Sequence, residues 1–76
     1  MDFKENCYRS ALYKGLEVDI VLKKDQPTMK LTRGHIKDFL TSKNYHPRGI
    51  KVRLAEVGPN GEELIGRVVH TYPEPL

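Results

Sequence analysis

From residue 16 the chain alternates. Leu16, Val18, Ile20 and Leu22 are separated by Glu17, Asp19, Val21 and Lys23, the two-residue period of a strand with one buried face. Pro27 interrupts the run, so residues 25–29, DQPTM, are read as a loop. A second strand is predicted in residues 30–40, KLTRGHIKDFL. Thr32, Gly34, Ile36, Asp38 and Leu40 share one of its faces, and Arg33, His35, Lys37 and Phe39 share the other. Adjacent Phe39 and Leu40 break simple alternation, which predicts a bulge or strand end near Asp38, with Phe39 assigned to the core. Residues 41–49, TSKNYHPRG, are turn-rich, and Gly49 releases the chain from the Pro47 turn into a third strand. That strand buries Ile50, Val52 and Leu54 and turns Lys51 and Arg53 outward. GPNG at 58–61 is a hairpin turn. A fourth strand, ELIGRVVHTY, sets Leu64, Gly66 and Val68 against Ile65, Arg67 and Val69.

Before the first strand, Tyr8, Ala11 and Leu12 are spaced for a helical turn or two, with Asn6 as its cap and Gly15 at its end. The terminal stretches 1–5 and 73–76 are expected to be flexible, because prolines 73 and 75 remove ladder donors. Four or five short strands with regular turns predict an all-β fold, a small SH3-like barrel preceded by a short helical turn and occupying the chain as one domain, 1–76. Gly34 and Gly66 fall mid-strand, where a small barrel needs a sharp bend or a close backbone approach.

Size narrows the chemistry. A 76-residue chain buries only about 60–65% of its unfolded surface, leaving no room for an enclosed catalytic cleft beside a cofactor domain. No apolar run reaches the roughly 18 residues of a membrane span, and MDFKENCYRS has neither the basic start nor the apolar stretch of a signal peptide. The lone Cys7 has no internal partner for a disulfide, which favours a reducing, cytoplasmic setting. Charge is uneven. Residues 20–54 hold Lys23, Lys24, Lys30, Arg33, Lys37, Lys43, Arg48, Lys51 and Arg53 against only Asp25 and Asp38, while both ends are mildly acidic. A basic middle of this kind points to a polyanionic partner.

GLEVDIVLKKDQ, KLTRGHIKDFLT and HPRGIKVRL together resemble the small YwbE-type family of uncharacterised proteins, and the likeness runs from about Arg9 to Val69. The chain departs from that pattern at Met29, where glycine is expected, at Lys14, where proline is common, at His35 in place of an aliphatic, and in a longer last hairpin. A wider likeness is to the KOW modules of ribosomal and transcription-elongation proteins. Gly15, Val18 and Ile20 followed by Thr32, Gly34 and Ile36 resemble the strand–loop–glycine–strand core of those modules. The second resemblance implies a KOW-like barrel that contacts RNA, or proteins of RNA machines.

Lys and Arg hold a phosphate backbone through counterion release, which positions a nucleic acid without reading its sequence. Arg33 and Lys37 on strand two with Lys51 and Arg53 on strand three would make one patch if those strands are neighbours. Lys23, Lys24 and Lys30 would line one adjoining loop edge, and Lys43 and Arg48 the other. Tyr45 and His46 lie in the basic loop and can stack on bases. Replacing Lys51 and Arg53 together by Glu is expected to abolish binding and leave stability within about 1 kcal/mol. Histidines 35, 46 and 70 lack metal-ligand spacing, no nucleophile sits in a catalytic context, and no cofactor motif is present. The expected function is therefore a non-catalytic, monomeric RNA-binding module of a ribosome- or transcription-associated assembly, with no membrane role. The other class is a protein-interaction module that binds a peptide in a tyrosine-lined groove or along an open strand edge.

Overall fold

The computed structural model describes residues 5–73; positions 1–4 and 74–76, within the ends expected to be flexible, lie outside the described residues. The alternating runs form four strands: β1 Glu17–Leu22, β2 Thr32–Phe39, β3 Lys51–Val57 and β4 Glu63–Tyr72. Each pairs antiparallel with the next, and β1 also pairs with β4, so the sheet closes into a barrel in the order β1-β2-β3-β4. This is the small SH3-like barrel that the strand pattern predicts.

Closure follows from burial. Val18, Ile20, Ile50, Val52 and Val68 are fully buried, and Leu12, Leu16, Ile36 and Leu54 join them in one core. Each such side chain contributes about 1.5–3 kcal/mol when removed from water. The predicted bulge is present: register between β2 and β3 shifts between Ile36 and Asp38. It turns Phe39 onto the core, whereas Leu40, assigned by alternation to the face of Ile36, is 40% exposed. Gly66 answers the mid-strand expectation, since a Cβ there would run into the Val21 carbonyl oxygen of β1.

The helical turn or two expected at the N-terminus is present as two 3₁₀ turns, Glu5–Cys7 and Arg9–Ala11, but Asn6 lies inside the first of them and does not cap it. Asn6 Nδ2 donates to the Val68 carbonyl at 3.0 Å, stitching the segment to β4. The backbone is claimed by the loop before β3: Arg9 N–H donates to Asn44 O, His46 N–H to Cys7 O and Ile50 N–H to Asn6 O. These bonds give polar groups more than one turn of an isolated helix would, because nucleating so short a helix is unfavourable. Gly49 sits beneath this strap with φ 101°, and a Cβ there would meet the Val68 carbonyl oxygen. After the Lys23–Asp25 3₁₀ turn, Met29 adopts φ 57°, the left-handed region that glycine favours. The position where the family resemblance leads one to expect glycine is thus one whose backbone asks for it.

Candidate nucleic-acid interface

Register decides which cations meet. β4 runs between β1 and β3, with Arg67 opposite Val21 on one side and Lys51 on the other. All three lie on the outer face. Lys51 and Arg67 are therefore like charges on directly paired positions, with Cβ atoms about 5 Å apart, an arrangement that is destabilising in the absence of an anion. Arg67 Nη1 donates to the Gly49 carbonyl at 3.1 Å, which leans its guanidinium toward the 46–49 turn. Arg48 and Arg67 then line one depression of about 380 Å³ with Val21, Gln26, Met29 and Val69. Lys23, Lys51 and Arg67 line an adjoining one of about 410 Å³ that shares Val21 and Gln26. Val21 is 6% exposed and forms part of the apolar floor. Among the described residues none of these four cations has a carboxylate within ion-pair distance.

His46 borders the same cluster. Its pKa is lowered by loss of solvent first, then by Arg67 and Arg48, so the ring is neutral at neutral pH. It accepts a hydrogen bond at Nδ1 from the Arg48 N–H at 3.1 Å.

The other sequence-derived residues fall elsewhere. β2 and β3 are neighbours, but Arg33, Lys37, Lys51 and Arg53 do not act as one set of free charges. Arg33 Nε donates to Asp19 Oδ1 at 3.1 Å. Arg53 Nη1 donates to Asp38 Oδ2 at 3.2 Å, and its Nε lies 2.8 Å from Glu63 Oε2, poorly aligned for a hydrogen bond. Arg53 thus serves two carboxylates from a side chain 31% exposed. Of the pair Lys51 and Arg53, whose joint reversal is expected to leave stability within about 1 kcal/mol, Arg53 is thus ion-paired and not a free surface charge. Arg33 is also displaced from Lys51 along the chain of β2, since Leu40 N–H donates to Lys51 O and Arg33 lies seven residues before Leu40. Lys37 and Lys43 are exposed and without an ion pair among the described residues, as is Lys30 in the turn before β2. Lys24 borders a separate depression with Glu62 and Glu63. Tyr45 is tethered to Tyr8 by a backbone bridge and a tilted ring contact at 5.0 Å, and stays 50% exposed.

Arg67 is the residue the charge count missed. It is the only cation of residues 55–76, a stretch whose net charge is acidic, so averaging by segment hid it. Its outward place in the alternation of β4 was the signal that could have found it.

At the opposite end of the β1–β4 face the charges are closed on themselves. Asp19 is 5% exposed and takes Arg33 Nε and the Tyr72 hydroxyl on its two oxygens. Burial raises its pKa, but the bonds from Arg33 and then Tyr72 outweigh it and hold the carboxyl below its ordinary range. Tyr72 is raised by its bond to Asp19 first and by burial second. Arg33 Cζ lies over the Tyr72 ring at 4.1 Å. Glu56 follows the same rule: burial raises it, and the bonds from His35 bring it below its usual value. Among the described residues no group of three or more His, Cys, Asp or Glu side chains is placed to hold a metal ion, and no helix is long and apolar enough to cross a membrane.

The family model described as "Uncharacterized conserved protein (DUF2196)" matches residues 5–71, and the chain belongs to that family. It is similar to the "Uncharacterized protein YwbE" of Bacillus subtilis (strain 168), with 65% identity over 48 residues, 63% of this chain and 74% of that protein. No solved structure matches the chain.

Proposed function

We propose that this member of the DUF2196 family is a non-catalytic module that holds the phosphate backbone of RNA on the face formed by Lys23, Arg48, Lys51 and Arg67. The observation that carries the reading is the direct pairing of Lys51 and Arg67 with no carboxylate within ion-pair distance of either among the described residues. Two adjacent unpaired cations repel each other, and a phosphate between them relieves the repulsion while releasing condensed counterions. The likeness to KOW modules supports RNA and a ribosome- or transcription-associated assembly. A lone buried thiol at Cys7 goes with a cytoplasmic setting, and the module is taken to act as a monomer. Peptide binding by strand addition has less support, because each of the four strands already has two partners.

A salt titration of binding to a short mixed-sequence single-stranded RNA tests the proposal. Log K is expected to fall linearly with log salt, by about 0.7 per phosphate contact, and Lys51→Glu to weaken binding and flatten the slope by about that amount. Absence of binding at low salt overturns it and directs the search to a protein partner.

A further inference from the structure

The aromatic end of the β1–β4 face is built differently from the cationic end, and its chemistry suits a different part of the same ligand. Tyr13, Lys14, Glu17, His35 and Tyr72 line a cleft of about 200 Å³. Glu17 pairs with Tyr72 across β1 and β4, and Val21 pairs with Arg67 four β1 residues on, about 13 Å away on the same surface. A strand lying along the outside of β1 and β4 therefore reaches both places.

We infer that this cleft is a base-stacking subsite, so that the ligand held by the cationic face is a single strand with unpaired bases; the inference rests on the phosphate-binding reading above. Three observations carry it. Tyr13 is 51% exposed, an aromatic surface of the kind on which bases stack. Tyr72 is a fixed wall, with its hydroxyl bonded to Asp19 and Arg33 laid on its ring, so little freedom is lost when a ligand packs against it. Glu17 lines the cleft, and Glu56 pairs with His35 at its side. Carboxylates there oppose a phosphate but not a neutral base, whose ring N–H and amino groups they can accept. Lys14 is left to meet the adjoining backbone. A duplex keeps its bases stacked inside and offers nothing to such a cleft.

The full chain is titrated with two probes, a short mixed-sequence single-stranded RNA and a strand of equal length carrying the same phosphates but no bases. The base-bearing strand is expected to bind tighter by roughly 5- to 150-fold, the range for one stacked base. Tyr13→Ala removes that advantage while affinity for the abasic strand and the salt slope stay unchanged, and Tyr13→Phe restores it. Tyr13→Leu, which keeps apolar bulk, serves as the second variant and loses the advantage too. Lys51→Glu lowers both affinities by the same factor and leaves their ratio intact. Equal binding of the two probes by the unaltered protein overturns the stacking subsite and leaves the phosphate grip standing. A Tyr13→Ala loss that is equal on both probes also overturns it, and binding of neither probe overturns both readings.

Discussion

The outer surface of β1 and β4 has two ends, and they treat charge in opposite ways. At one end Asp19, Arg33 and Tyr72 satisfy one another beneath a partly covered surface. At the other, Lys51, Arg67, Arg48 and Lys23 converge with no acid among the described residues to neutralise them. The charges of the first end are paired without a ligand. The second is left unfinished by the fold, and a polyanion would complete it. The ion pairs with Asp and Glu also favour one residue type, although Arg48 and Arg67 stay outside them. Arg33 and Arg53 are the cations drawn into ion pairs with Asp and Glu, while among the described residues no lysine is. A planar fork of donors matches a carboxylate, whereas an ammonium on a flexible stem stays hydrated at little cost.

Substitution of the ion-paired groups at the closed end therefore acts on stability, and substitution of the cations at the open end acts on binding. Asp19→Ala has the largest expected effect, a loss of about 1–3 kcal/mol, because two hydrogen bonds to a buried carboxylate disappear. For a domain of this length each kcal/mol lowers Tm by about 4–8 °C in a thermal melt. The same carboxylate sets an acid limit. Asp19 and Glu56 titrate below their ordinary values in the folded chain, so their stabilisation is complete above the unfolded carboxylate range near pH 4. It is lost as pH falls through the lowered folded values. Denaturant melts at a series of pH values should show that fall, shallower in Asp19→Ala; an unchanged slope would break the assignment.

Arg53→Glu comes next, at about 1–2 kcal/mol, since it replaces a bracket between Asp38 and Glu63 by a third carboxylate. Met29→Gly should instead raise stability by about 0.5–1 kcal/mol, the relief of a left-handed backbone less the added freedom of the unfolded chain. Equilibrium unfolding measures both. Lys51→Glu is the smallest on this scale, within about 0.5 kcal/mol of the parent, because its side chain is exposed and unpaired. A larger loss there would mean that the two ends are not different in kind.

Much of this was legible in the chain. Alternation located all four strands, named Val18, Ile20, Ile50 and Val52 as inward and set Val68 on one face of β4, since period two is a local property of an extended backbone. The Phe39–Leu40 doublet marked the bulge at Asp38. Less legible was the partnership of charges. Asp19 reads as one more outward acid on a strand face, yet it is buried by residues 14 and 53 positions away. Arg53 reads as an exposed twin of Lys51, and the bulge in β2 places Asp38 against it.

The sequence by itself determined the period, and hence the strands, the core-facing set, the turns and the excess of cations in the middle of the chain. Only the tertiary structure decided which cations are free. Closing β1 onto β4 brought Arg67, from an acidic segment, between Val21 and Lys51, and the pairing of β1 with β2 took Arg33 out of the patch by giving it Asp19. The reason is range. An alternating pattern is settled by residues two apart, whereas the partner of a charge is settled by register between strands, which depends on every bulge and bend between them.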